Sequence, residues 1–218
     1  MAYCKQGRSV AERGRIMALI PAAGQSRRMG RPKLALPLAG KSILECVLDA
    51  LRQAGVTDVL VVVSPLGDAV SALAEKGGAH VLRLADETPD MRATVIAGLE
   101  WLEQRFQPAA DDAWLLLPAD HPVLDPDAIL ALMRCRLAHP QQSIFIPSFG
   151  GRRGHPALIG WQHVAALRCF PPGQGLNRFL REAGEQVREC PVRSPGVLLD
   201  LDTPEDYQRL LDGHFMDT

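Results

Sequence analysis

Residues 42–64 read Ser42-Ile43-Leu44-Glu45-Cys46-Val47-Leu48-Asp49-Ala50-Leu51-Arg52-Gln53-Ala54-Gly55-Val56-Thr57-Asp58-Val59-Leu60-Val61-Val62-Val63-Ser64. Ser42 followed three residues later by Glu45 is a capping box, in which each side chain satisfies a backbone N–H that the first helical turn leaves open. It predicts a helix to about Ala54, stopped at Gly55. The run from Asp58 to Ser64 is β-branched and apolar between its ends, as a central strand buried on both faces must be. A helix passing directly into such a strand predicts a mostly parallel sheet with helices on both faces.

The alternation extends in both directions. Ile16 to Pro21 reads as a first buried strand, residues 68–76 as a short helix and Ala79 to Leu84 as a third strand. Residues 92–105 have helical spacing, with an apolar stripe bounded by Ile96, Leu99 and Leu102 or Glu103. Ala113 to Leu117 is the next buried strand. Asp125-Pro126 caps a helix to about Ala138, with proline at its favoured first position. Ser143 to Pro147 is a further strand, and Gly150 to Gly160 a functional loop with a short strand. Short helices follow near 161–169 and 175–183, and Val187 to Leu199 holds one or two short strands. If Asp200 and Asp202, alternating with Leu199 and Leu201, also lie on a strand, they share one face. Thr203-Pro204-Glu205-Asp206 caps a last helix to about Leu211. The expected fold is α/β: one three-layer α/β/α Rossmann-like domain over residues 15–212, with a flexible leader at 1–14 and a tail at 213–218.

Composition sets outer limits. Of 218 residues, 47% are hydrophobic and 22% charged, which suits a globular domain and excludes disorder or a coiled coil as the main state. Lys plus Arg is 24 and Asp plus Glu 25, so neither a nucleic acid nor an anionic membrane is expected as partner. No uncharged stretch reaches the ~18 apolar residues of a membrane span. Cys4, Cys46, Cys135, Cys169 and Cys190 are scattered, odd in number and form no CxxC pair. That argues against a disulfide framework or zinc site and for a reducing, cytoplasmic setting.

Chemistry concentrates in five places. Ala22-Ala23-Gly24-Gln25-Ser26-Arg27-Arg28-Met29-Gly30-Arg31-Pro32-Lys33 follows the first strand directly. In an open α/β sheet, ligands bind beyond the carboxyl ends of the strands. A glycine-containing turn offers backbone N–H groups to phosphate oxygens, and Arg and Lys neutralise their charge. It is neither a Walker A loop, lacking GKS or GKT, nor a GxGxxG turn, since its glycines stand at 24 and 30. Asp120 ends a buried strand and offers the hard oxygen that Mg²⁺ carrying substrate phosphates prefers; a turn residue before Pro122 is the plainer alternative. Asp200 and Asp202 precede a capped helix, and a carboxylate there suits either a second metal position or a helix N-terminus. Gly150-Gly151-Arg152-Arg153-Gly154-His155-Pro156 places two arginines and a histidine in a glycine-rich loop, suited to a second phosphate or simply to solvent. Met91-Arg92-Ala93-Thr94 opens a helix whose N–H groups and Arg92 suit an anion or a base edge.

Together these motifs resemble a known family. AAGxSxRMGxxK at 22–33, Asp-x-Pro at 120–122, GxxGHP at 151–156 and DxDTPED at 200–206 look like the MobA-like nucleotidyltransferases. Within them the chain is most similar to the molybdenum cofactor cytidylyltransferase branch, which includes proteins linked to xanthine dehydrogenase maturation. The resemblance runs from about Ile16 to Leu211 and implies the family's Rossmann-like nucleotidyltransferase fold. It implies that Ala22, Ala23 and Gly24 border the base and ribose, and that Met91 and Thr94 also bind nucleotide. Ser26, Arg28 and Gly30 would hold the β- and γ-phosphates and Lys33 would approach the α-phosphate, with Arg28, Lys33 and Asp120 as the catalytic groups. Asp120 and Asp202 would hold Mg²⁺. Arg152, Arg153, Gly154, His155 and Pro156 would lie on the acceptor side. The guanylyl branch usually has AGG where this chain has Ala22-Ala23-Gly24, which favours CTP over GTP. The implied reaction transfers CMP from CTP to a phosphorylated acceptor, molybdopterin, and implies contact with a molybdoenzyme or maturation protein. Alternatives are a sugar or polyol phosphate as acceptor, GTP as donor, or a non-catalytic nucleotide-binding maturation protein. The chain departs from the family at His121, usually Gln, at Arg92, usually Ser, and at Pro21, usually Leu.

Overall fold

In strand β1 (Ile16–Ala22) alternate side chains enter different cores: Ala18 and Ile20 face one hydrophobic cluster, Met17 and Leu19 the other. The strand Asp58–Val63, β4, divides the same way, with Val59, Val61 and Val63 on the first side and Leu60 and Val62 on the second. The two-residue period of a pleated strand, apolar at every position but Asp58, therefore places these strands between two helical layers. The computed structural model describes residues 14–24, 32–119, 121–171 and 173–213. The leader expected at 1–14 lies outside them except for Gly14, and the tail expected at 213–218 except for Gly213.

A small hairpin follows β1, formed by β2 (Pro37–Leu38) and β3 (Lys41–Ser42). The helices are α1 (Ile43–Gln53), α2 (Asp68–Lys76), α3 (Met91–Phe106), α4 (Pro126–Ala138), α5 (Val164–Cys169), α6 (Leu176–Glu182) and α7 (Pro204–Leu211). The remaining strands are β5 (His80–Arg83), β6 (Ala113–Leu116), β7 (Ile144–Phe149), β8 (Arg152–Arg153), β9 (Ala157–Gly160) and β10 (Val187–Pro191). The main sheet has spatial order β10-β7-β9-β6-β1-β4-β5, with β8 paired to β7. β1, β4, β5 and β6 run parallel, as do β7 and β10, while β9 is antiparallel between β6 and β7. This single-domain, mostly parallel sheet with flanking helices is the fold class expected. Among the described residues, no helix is long and apolar enough to cross a membrane.

The capping box forms as the spacing predicts: Glu45 N–H donates to Ser42 Oγ, and Ser42 N–H donates to Glu45 Oε2 at 2.8 Å. Three expectations need correction, and one loop gains detail. The buried stripe of α3 is Thr94, Val95, Gly98, Leu99 and Leu102, not one bounded by Ile96. A Cβ at Gly98 would lie 2.4 Å from Leu19 Cδ1 and 2.9 Å from Val62 Cγ2, so the helix sits closest to the sheet at its glycine and rotates to suit. Gly150 and Gly151, with φ of +57° and +78°, form a two-residue hairpin turn between β7 and β8, a backbone role that glycine alone fills cheaply. Residues 199–203 form no strand: Leu201 is fully buried and pins a turn-like segment, with Asp200 and Asp202 outside it. Finally, Cys135 in α4 and Cys190 in β10 are joined as a disulfide across 55 residues, Cα atoms 6.4 Å apart. The packing of α4 beside β10 brings them together, a pairing that spacing does not reveal, so the cysteines carry no argument for a reducing compartment.

Candidate active site at the carboxyl edge

The parallel register determines where the site forms. Ala22 pairs with Val63 at the ends of β1 and β4, and Leu117 N–H donates to Leu19 O at 3.0 Å. Continued past the strand ends, that register sets Ala119 level with Ala22. The loops leaving β1 and β6 therefore open on the same edge, beside the loop that leads from β5 into α3. They enclose a cleft of about 480 Å³, within the usual range for a small-molecule site.

One wall is the chain leaving β1: Pro21, Ala22, Ala23 and Gly24, then Pro32 and Lys33. Gly24 does not have a positive φ, and a Cβ placed there would meet no described atom within 4 Å, so packing does not demand glycine. What the missing side chain provides is room for the cleft to approach the backbone. Lys33 starts a short 3₁₀ turn whose neighbours Leu34 and Leu36 are buried, and its own side chain is only 14% exposed. Another part of the lining comes from the segment that leads into α3: Glu87, Thr88, Pro89, Asp90, Met91 and Thr94. Asp90 caps α3 by accepting from Ala93 N–H at 2.8 Å, and Thr88 and Thr94 share a hydroxyl–hydroxyl hydrogen bond of 2.6 Å. The cleft lining thus carries one ammonium, Lys33, and two carboxylates, Glu87 and the capping Asp90. Phosphates suit Lys33; an uncharged ring suits Met91 and Thr94, where the helix N-terminus is already satisfied by Asp90.

The third component arrives from the C-terminal segment. Asp202 Oδ1 lies 2.8 Å from Lys33 Nζ. The sequence separation of 169 residues is closed because α7 docks beside the β2–β3 hairpin, where Tyr207 Oη donates to the Pro37 carbonyl. Thr203 and Asp206 form a second capping box, and Asp206 Oδ2 accepts from the backbone N–H groups of both Asp202 and Thr203. Burial works to raise the Asp206 pKa, but these two N–H groups, the Thr203 hydroxyl and Arg209 outweigh it and hold the carboxyl below its ordinary value.

Asp200 and Asp202 do not act as a pair. Asp200 Oδ1 lies 3.1 Å from His121 Nε2, and the His121 ring packs on the His155 ring at 4.1 Å between centroids. His155 sits where β8 breaks before β9, and its N–H donates to Val197 O at 2.8 Å. A Cβ at Gly154 would come within 2.1 Å of that same carbonyl, so this glycine serves close backbone contact. The His155–Pro156 bond is cis. Arg153 pairs with Glu189 of β10 at 2.7 Å, and Arg152 stands exposed in β8. Arg92 turns from the cleft to donate to the Pro171 and Gln174 carbonyls at 2.6 and 3.3 Å.

Of the residues expected to bind nucleotide, the structure brings Ala22, Ala23, Gly24, Lys33, Met91 and Thr94 around one cleft. Ser26, Arg28, Gly30 and Asp120 lie outside the described residues; the flanking Ala119 lines the cleft. Sequence reasoning misses Thr88 and Asp90, although Asp90 ahead of Met91 carries an N-cap signature. Among the described residues no group of three or more His, Cys, Asp or Glu side chains is arranged to hold a metal ion. The donor chemistry still fits Mg²⁺, which is ordinarily held by one or two carboxylates plus substrate phosphates. Asp202, 51% exposed, presents a hard carboxylate beside the cleft-lining Lys33.

Comparison with known proteins supplies the family. The chain is 29% identical over 210 residues to the purine catabolism protein PucB of Bacillus subtilis, covering 88% of this chain and 94% of that one. It is 34% identical over 203 residues to a phosphoenolpyruvate guanylyltransferase of Rubrobacter xylanophilus, covering 89% and 93%. With a 2-C-methyl-D-erythritol 4-phosphate cytidylyltransferase of Nocardia farcinica it shares 32% over 199 residues, covering 88% and 83%. Among solved structures, Rv0371c of Mycobacterium tuberculosis H37Rv, in complex with manganese, superposes with a TM-score of 0.72 at 26% identity, covering 91% and 98%. Residues 18–187, from the first buried strand to the start of β10, match the family described as the MobA-like NTP transferase domain, and the chain belongs to that nucleotidyltransferase family.

Proposed function

We propose that the chain carries out Mg²⁺-dependent transfer of CMP from CTP to a phosphate-bearing acceptor, molybdopterin, with release of pyrophosphate. The observation that carries this reading is the cleft lined by Lys33, whose ammonium Asp202 meets at 2.8 Å, and by Met91, Thr94 and the capped start of α3. In this reading Ala22, Ala23, Gly24, Met91 and Thr94 border the base and ribose. Ser26, Arg28 and Gly30 hold the β- and γ-phosphates, and Lys33 meets the α-phosphate. Asp120 and Asp202 hold Mg²⁺, which when bound would neutralise charge on the phosphoryl group being transferred.

An oxygen of the acceptor phosphate attacks the α-phosphorus, and the bond from that phosphorus to the pyrophosphate oxygen breaks. The acceptor is already an anion, so no side-chain base is needed. Arg28 and Lys33 orient the triphosphate and stabilise the departing pyrophosphate. The acceptor lies on the side of Arg152, Arg153, Gly154, His155 and Pro156, where the His155 ring meets that of His121, the residue after Asp120 in the sequence. Alanine at 22 and 23 supports CTP. A second reading, GTP as donor, has the support of the 34% identical guanylyltransferase.

The test is pyrophosphate release with each of the four nucleoside triphosphates, Mg²⁺, and either molybdopterin or a panel of sugar and polyol phosphates. The expected result is fastest release with CTP and molybdopterin. Faster release with GTP overturns the donor assignment. Release with a sugar phosphate but not molybdopterin overturns the acceptor, and no release under any condition overturns the enzymatic reading.

A further inference from the structure

We propose that the Lys33–Asp202 ion pair is an exchange latch, through which the cleft accepts a triphosphate and a divalent cation together and resists either one alone. The proposal rests on the nucleotide-and-cation reading above. That reading needs one free ammonium for phosphate and one free carboxylate for the cation, yet these two groups stand 2.8 Å apart, each occupying the other.

The backbone on both sides is held. Lys33 is followed by Leu34 and Leu36, 3% and 2% exposed, and Leu36 N–H donates to Lys33 O at 3.1 Å. Asp202 follows the fully buried Leu201, and its own N–H donates to Asp206 Oδ2 at 3.0 Å. Partner exchange is therefore a matter of side-chain rotation, with neither segment leaving its seat. Asp200, held on His121, stays in place while Asp202 exchanges.

The consequence is electrostatic. A metal-free triphosphate that draws Lys33 away leaves the Asp202 carboxylate bare beside its own negative charges. A lone divalent cation on Asp202 faces the Lys33 ammonium at short range. When both arrive, Lys33 passes to phosphate and Asp202 to the cation, and every charge keeps a partner of opposite sign. Each ligand therefore strengthens the binding of the other, by about tenfold, within the ordinary span of coupling between two sites.

The experiment is Mn²⁺ binding followed by electron paramagnetic resonance at fixed ionic strength. It uses the full chain, Lys33→Gln, Asp202→Asn, the double variant, and Lys33→Arg as a charge-keeping control, each with and without α,β-methylene-CTP. Expected are weak binding of free Mn²⁺ by the unaltered chain, tightened about tenfold by the nucleotide, and a similar tightening of free Mn²⁺ in Lys33→Gln without nucleotide. That gain is expected to vanish in the Asp202→Asn background, and Lys33→Arg should stay weak. An equal gain in both backgrounds, no gain in Lys33→Gln, or an equal gain in Lys33→Arg overturns the latch. If the unaltered chain still binds Mn²⁺ with nucleotide, the donor reading survives that outcome. Failure of the unaltered chain to bind nucleotide at all overturns both.

Discussion

Gly154→Ala is the sharpest test of how the site is assembled. The methyl group would sit 2.1 Å from the carbonyl oxygen of Val197 and 2.7 Å from its carbonyl carbon. Carbon and carbonyl oxygen rarely approach closer than about 3.3 Å, so one backbone must yield by about 1 Å. The oxygen cannot withdraw freely, because it accepts the His155 N–H at 2.8 Å and Val197 itself is buried. Losing that hydrogen bond costs about 1 kcal/mol, and overfilling a packed site adds roughly 1–3 kcal/mol. The sum is about 2–4 kcal/mol, which in a domain of this size lowers the melting temperature by about 4–16 °C. The Val197 turn leads directly into Asp200 and Asp202, so the variant should also need more Mg²⁺ for nucleotidyl transfer. Thermal unfolding by circular dichroism, with a Mg²⁺ titration of pyrophosphate release, measures both. Gly150→Ala serves as control: its φ is positive but no described atom lies within 4 Å, so its cost is confined to roughly 1 kcal/mol of backbone strain. A Gly154→Ala protein that melts with the control, with unchanged Mg²⁺ demand, would show that this close approach does not hold the site together.

Four further outcomes are expected of the same structure. Gly98→Val drives side-chain atoms into Leu19 and Val62; it should cost about 1–3 kcal/mol and raise the KM for nucleotide by displacing the start of α3, and an unchanged KM with normal melting would contradict that helix placement. Thr203→Ala removes the cap on Asp206 N–H and should cost about 1 kcal/mol at neutral pH, read by chemical denaturation. Because the Asp206 pKa is lowered in the fold, its contribution is complete above the ordinary carboxylate value of about 3.9 and lost as pH falls through the lower folded value. Asp206→Asn should therefore lose stability at pH 7 yet show a shallower decline in acid, and a parallel acid profile would refute the linkage. Asp120→Ala should abolish Mg²⁺-dependent turnover while leaving the melting transition cooperative, and wild-type turnover would remove Asp120 from the cation site.

The legible features were those written in adjacent residues. Ser42 and Glu45 specify a helix start three residues apart, and Val59–Val63 advertises two buried faces through unbroken apolar character. The stretch from Ala22 to Lys33 follows a buried strand with small and cationic residues, and its described members Ala22, Ala23, Gly24 and Lys33 line the cleft. Partnerships across the chain were not visible in this way. Leu199, Asp200, Leu201 and Asp202 alternate like a strand, but the alternation records a buried Leu201 between two carboxylates paired with His121 and Lys33. The glycines at 150 and 151 turn a hairpin, and Gly154 answers to a carbonyl more than forty residues away in sequence. The Cys135–Cys190 bridge and the antiparallel insertion of β9 likewise depend on packing between distant segments.

The most direct measurement is a crystal structure of the chain with α,β-methylene-CTP and Mn²⁺, located by anomalous scattering. The account predicts the triphosphate beside Lys33, the cytosine toward Met91 and Thr94, and the manganese peak on Asp202 and Asp120, with the Lys33–Asp202 contact broken. A nucleotide bound elsewhere, or bound here with its phosphates at the Asp90 end and Lys33 still seated on Asp202, would contradict it.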